Sequence, residues 1–139
     1  MKWVTWQDVA VDRMGCAWLI RRHIDPKAEF LFVPAGAPAL PKGAEPFDIP
    51  GARLSHRRGH CTFHTALREY KLKDPILRRM ARIIDEADVV QEAAIEPIAP
   101  GLDFLCRGLR RISPDDQTAL ERGALLYDAL YAQLAAEPG

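Results

Sequence analysis

Between His56 and His64 the chain places three of its four histidines and one of its three cysteines. Imidazole, thiol and the adjoining arginines could support three kinds of chemistry: ligation of a divalent metal, binding of an oxyanion, or attack by a thiolate. The spacing His56-x3-His60-x3-His64 would align three rings on one continuous helix. Gly59 interrupts it, and Arg53-Leu54-Ser55 reads as extended backbone. The triplet is therefore expected to split, with His56 and His60 on an approach segment and His64 at the rim of a helix starting near Thr62. A loop ligand and a helix ligand can still converge, although the spacing matches no zinc-finger pattern.

Carboxylate partners are available in "IIDEAD". On a helix through that stretch Asp88 borders the apolar stripe, and Asp85 lies about 60° further round. Glu86 points away and is placed to pair with Arg82. The expected metal set is His64, His56, Asp85 and Asp88, with His64 the leading ligand and His60 a surface residue. Imidazole with carboxylate suits zinc, iron, manganese or nickel. The competing reading is a His–Asp hydrogen bond without metal.

A second group lies on "VDRMGCAWLIRRHI". Asp12, Arg13, Arg21, Arg22 and His23 interrupt a segment that is apolar nearly all round, so its guanidinium groups need partners. Those partners are internal carboxylates such as Asp85, Asp88 or Asp128, or a bound oxyanion; internal pairing is the commoner outcome. Cys61 beside His60 is a third option, as the thiol of a thiolate–imidazolium pair. A small buried cysteine is the ordinary alternative. No phosphate-binding glycine loop or nucleophile elbow is present.

The elements that must hold these residues follow from periodicity. "MKWVTW" and "EFLFV" read as strands and Val11 to Ile24 as a buried helix ended by Asp25-Pro26. Five prolines and three glycines between Pro34 and Gly51 mark a surface loop, with one short strand at "PFDI". Helices then dominate. "TFHTALREY" has Thr62 as its expected N-cap. "DPILRRMARIIDEADVV" has Asp74 as N-cap and a stripe of Ile76, Met80, Ile83, Ile84 and Ala87. "GLDFLCRGLRRI" follows, and a last helix begins at "SPDD" with Ser113 as its expected N-cap. The fold class is α+β and mainly helical, a few short N-terminal strands with four to five helices, in a single domain over residues 1–139.

Composition narrows the function classes. The 48% hydrophobic and 27% charged content and zero net charge are those of an ordinary globular protein. Neither a nucleic-acid nor a membrane partner is indicated. Three widely spaced cysteines and the lack of a leader pattern point to the cytoplasm. Charge is nevertheless segregated. Arg53 to Arg82 holds nine basic residues against Glu69 and Asp74, and Ile83 to Cys106 holds six acids (Asp85, Glu86, Asp88, Glu92, Glu96, Asp103) and no base. Such blocks are usually solvated faces, and a homodimer interface is the alternative.

"WVT", "VDRMGCAWLIRRHIDPKAEFLFVPA", "PFDIPG", "LSHRRGHCTFHTALREY", "DPILRRMARIIDEADV" and "SPDDQTALERGALLYDALYA" resemble, in order, the C-terminal domain of ChrB-type chromate-resistance proteins. The resemblance implies a role in chromate resistance, a stress response, and a tetrahedral dianion as a ligand. It adds Arg13, Arg21, Arg22 and His56, with Cys61, as oxyanion-binding candidates. Regulatory members carry a further N-terminal region, so DNA binding is not expected of this chain. Many members have an acidic residue where His64 stands, which leaves a metal ligand there but changes its kind. The expected function is a cytoplasmic domain that binds a divalent transition metal, an oxyanion such as chromate, or both, as a sensor or accessory module. A metal-dependent redox or hydrolytic enzyme is the alternative.

Overall fold

A computed structural model of the chain describes residues 1–89, 91 and 93–137. Glu92 of the acidic run lies outside them. Three short strands form one parallel sheet in the order β2-β1-β3: β1 is Lys2–Trp6, β2 Glu29–Val33 and β3 Ala44–Pro46. Trp3 of β1 stands opposite Phe30 of β2 and Glu45 of β3. Central β1 buries Trp3, Val4 and Thr5, as a strand covered on both faces must. Pro46 sits on an edge strand, where a missing N–H costs no ladder bond.

Five helices follow the anticipated α+β, mainly helical plan: α1 Val11–Leu19, α2 Thr62–Glu69, α3 Pro75–Asp88, α4 Ala99–Ile112 and α5 Asp116–Ala136. The helix expected over Val11 to Ile24 is α-helical only to Leu19. Its last turn, Ile20–Ile24, widens to π geometry, with the Asp25 amide reaching the Ile20 carbonyl at 2.6 Å. The nearly all-round apolar surface of α1 is explained by its central position, packed against each of α2, α3, α4 and α5.

Three local expectations are corrected. Ser113 does not cap the last helix. Its hydroxyl turns back to the Leu109 carbonyl of α4, and Asp115 accepts the Thr118 amide at 2.8 Å instead. Thr62 is the first residue of α2 rather than its cap, because its hydroxyl is drawn to Asp48. The short strand expected at "PFDI" lies earlier, at Ala44–Pro46, and Phe47 then bridges to Leu54. Asp74 does cap α3, accepting the Ile76 amide at 2.8 Å, but Leu77 rather than Ile76 carries the buried stripe there. Among the described residues no helix is long and apolar enough to cross a membrane.

Gly15 sets how closely α1 approaches its neighbours. A Cβ there would stand 3.0 Å from Ile84 Cδ1 and 3.3 Å from both Phe63 Cδ2 and Tyr127 Cζ. Gly108 of α4 has nothing within 4 Å of the same position. Gly15→Val is therefore expected to cost about 1–3 kcal/mol through overpacking. Gly108→Ala should add up to about 1 kcal/mol through helix propensity alone. Urea unfolding of the two variants measures both; changes of the same sign would contradict the packing account.

Candidate functional site

The site is built around the start of α2, whose first amides have no partner within the helix. Two carboxylates from other helices supply them. Asp12 of α1 accepts the Thr62 amide through Oδ2 at 2.8 Å and the Phe63 amide through Oδ1 at 3.0 Å. Asp85 of α3 accepts the Cys61 amide through Oδ1 at 2.7 Å. Both carboxylates are buried at the positive end of a helix dipole. With those amides taken, the Thr62 hydroxyl donates to Asp48 Oδ1 at 2.7 Å.

Asp12, Asp48 and His56 each offer a ligating atom, all within 4.8 Å of one another. His56 Nδ1 lies 3.2 Å from Asp48 Oδ1, and its Nε2 lies 2.9 Å from Asp88 Oδ2 and 3.5 Å from Asp12 Oδ2. Asp48 adopts a left-handed backbone, φ 53°, immediately before "IPG". Its carboxylate is steadied by Arg13 Nε at 3.2 Å, while Arg13 Nη2 donates to the Asp48 carbonyl at 3.0 Å. Crowding shows in the acid–base chemistry. Burial, then repulsion from Asp48 and Asp88, raises Asp12 from 3.8 to about 7. Hydrogen bonds to Asp48 and Asp88 raise His56 from 6.5 to about 10. The cluster opens on a cleft of about 420 Å³ lined by Trp6, Ile49, Pro50 and Ser55.

A second cluster lies on the other side of Asp85. Its Oδ2 stands 2.7 Å from His60 Nδ1, and the His60 ring stacks on His64 with centroids 3.8 Å apart and planes 11° from parallel. Burial first, then His60, holds the His64 pKa below its ordinary value. His64 makes no side-chain hydrogen bond among the described residues.

The four residues expected at a metal thus divide. His56 and Asp88 join Asp12 and Asp48, while Asp85 and His64 stand with His60. His60 is no idle surface residue, since Asp85 fixes its ring. The oxyanion candidates do not converge. Arg13 holds Asp48, Arg21 donates to the Ala28 carbonyl at 2.8 Å, and Arg22 grips Asp128 through two bonds of 3.0 and 2.7 Å. Cys61 is buried, and burial pushes its thiol well above the ordinary value, the opposite of what a thiolate nucleophile needs. Glu86 accepts the amides of Ile95 and Glu96 instead of pairing with Arg82. Sequence reasoning passed over Asp12 and Asp48 as ligands. Asp12 looked like a polar interruption of an apolar helix, and the one local sign at Asp48 was a turn-forming aspartate before Pro-Gly.

Comparison with known proteins covers nearly the whole chain. Residues 3–134 match the family model described as ChrB, C-terminal domain. The chain is 34% identical over 135 residues to Protein ChrB of Cupriavidus metallidurans, covering 96% of this chain and 41% of that protein. The chain therefore spans about two-fifths of the length of that relative. No solved structure matches.

Two outcomes follow from the buried carboxylates. Asp12→Ala removes a cap and strands two buried amides, and should cost about 2–4 kcal/mol in urea unfolding. Asp115→Ala, at the exposed start of α5, should cost only about 1 kcal/mol. The pH dependence has a definite sign. His56 binds its proton more tightly folded than unfolded, so its contribution is complete below 6.5 and lost as pH rises through about 10. Asp12 ionises less readily folded than unfolded, so its contribution falls as pH rises from 3.8 to about 7. The stability lead of the wild type over His56→Gln should accordingly be larger at about pH 6 than at about pH 10.5. An equal lead at both would count against the ion-pair role.

Proposed function

The chain belongs to the ChrB C-terminal domain family, and from that membership and the carboxylate–imidazole cluster we propose a cytoplasmic metal-binding domain serving chromate resistance as a sensor or accessory module. The observation that carries this reading is the convergence of Asp12, Asp48 and His56 ligating atoms within 4.8 Å, with Asp88 on the same imidazole. Asp12, Asp48 and His56 would hold the ion, with Asp88 orienting the imidazole and the remaining positions toward the cleft left to water. One imidazole among several carboxylates favours manganese or iron over zinc or nickel within the expected set. Three free, buried cysteines fit a reducing compartment.

Asp12 gives the sensor role a physical route. The same carboxylate that would meet the ion caps α2, so occupancy bears directly on how α1 and α2 are joined. Chromate itself stands second in this reading, because Arg13, Arg21 and Arg22 are engaged by protein acceptors and Cys61 is buried. A metal-dependent enzyme is less well supported. The thiols nearest the cluster, Cys16 and Cys61, are both pushed well above their ordinary values, which counts against a thiolate step there.

Metal binding must displace the His56 proton, since imidazole ligates only when neutral. Calorimetric titration of the chain with Mn²⁺, repeated in buffers of different ionisation enthalpy, should show about one ion per chain and proton release at neutral pH. His56→Ala and Asp88→Ala should each weaken binding at least about tenfold, as loss of a ligand or of the residue that orients it does, whereas His64→Ala should leave it unchanged. Saturation that survives His56→Ala, or no binding of Mn²⁺, Fe²⁺, Zn²⁺ or Ni²⁺, would overturn the assignment.

A further inference from the structure

The basic half of the charge pattern remains unused by the metal cluster. Between α2 and α3 lies a cleft of about 520 Å³, lined by His60, His64 and Asp85, by Leu67, Leu72 and Ala81, and by five cations: Arg68, Lys71, Lys73, Arg78 and Arg82. Several arginines elsewhere are paired, for instance Arg13 with Asp48, Arg22 with Asp128 and Arg53 with Glu45. Among the described residues none of the five cleft cations makes an ion pair. Asp85, the one carboxylate in the lining, is engaged by His60 and the Cys61 amide, so the five cations repel one another, and a bound anion relieves that repulsion.

The floor says what kind of anion. α2 ends in a Schellman turn, in which the Leu72 amide reaches the Leu67 carbonyl at 2.9 Å and brings those two leucines together. Their apolar surface opens into the cleft, beside the flat stacked pair of His60 and His64. Asp85 fixes His60 through Nδ1, which leaves Nε2 without a protein partner among the described residues. Lys71 occupies the turn position that favours glycine, with φ 53°, and accepts that strain while carrying its charge to the rim. A bare inorganic oxyanion would use the rim and leave the leucine floor wet. The volume is in the range of small-molecule sites.

We propose that the α2–α3 cleft binds an amphipathic organic anion, a small molecule with a flat apolar body and one or more carboxylate, phosphate or sulfonate groups. The body lies on Leu67 and Leu72 against the His60–His64 pair, and the anionic groups meet Arg68, Arg78 and their neighbours. The site is separate from the carboxylate cluster and does not depend on metal.

The test uses the whole chain in the presence of EDTA and 8-anilinonaphthalene-1-sulfonate as the probe, followed by its fluorescence. One site per chain is expected, weakened at least tenfold by Arg68→Glu with Arg78→Glu and comparably by Leu72→Asn. Lys71→Gly should raise the urea midpoint while weakening the probe, a combination that a merely structural lysine would not give. Phe104→Ser with Arg111→Glu alters the exposed face of α4, where Phe104 and Leu105 are also open to solvent, and should leave binding unchanged. The proposal fails if the α4 variant rather than the cleft variants abolishes binding, if the probe does not bind, if sulfate displaces it as well as an aromatic dicarboxylate such as phthalate does, or if duplex DNA binds the cleft more tightly than the probe.

Discussion

The arrangement rests on one buried carboxylate. Asp12 leaves α1 to take the amides of Thr62 and Phe63 at the head of α2. A buried carboxylate of this kind is tolerated only because two backbone N–H groups and a helix dipole replace the water it has lost. That requirement ties the middle of the sequence to its beginning. It also explains the neighbouring choices: Asp85 takes the preceding amide from the opposite side, and Thr62 is released to hold Asp48. With the amides so distributed, His56 is left facing three carboxylates.

Much of the architecture was legible in the sequence. Aromatic and β-branched residues marked β1 and a short apolar run marked β2, Asp74-Pro75 marked the start of α3, and the all-round apolar character of α1 announced a helix buried on every side. The errors concern side chains that choose between local and distant partners. Ser113 and Thr62 both look like caps in isolation, since a hydroxyl before a helix normally accepts an amide. Each was claimed by something else, Ser113 by a carbonyl of α4 and Thr62 by a carboxylate over a dozen residues away in sequence. Local pattern cannot report such competition. The candidate site suffered most for the same reason. His56 and Asp88 were recognised and do meet, but the ligand set expected around His64 depended on that residue meeting Asp85 from the helix rim, and it is His60, on the segment before α2, that does so.

Asp85 separates two kinds of chemistry within a short distance in the fold. Toward Cys61 it belongs to the capped helix start beside the carboxylate cluster, and toward His60 it faces a hollow ringed with positive charge. Charge is segregated in space as well, but not simply as it is along the chain: the acidic cluster takes Asp88 from the acidic run and Asp12 and Asp48 from outside it, while Asp85 lines the basic cleft. The acidic and basic runs meet within α3, which carries Arg78 and Arg82 to one pocket and Asp88 to the other.

The sheet has a consequence for how the chain reaches this state. β1 is the central strand, and both strands that pair with it lie later in the sequence, β2 at Glu29–Val33 and β3 at Ala44–Pro46. All the pairings are parallel, so neither edge of β1 can be closed by a local hairpin. As the polypeptide emerges during synthesis, Trp3 and Val4 must wait with both backbone edges open until β2 follows, and with one edge open until the segment around Pro46 is free to dock. The interval in which this protein is most exposed to misassociation is therefore written into its strand order, ahead of any folding of the helical half.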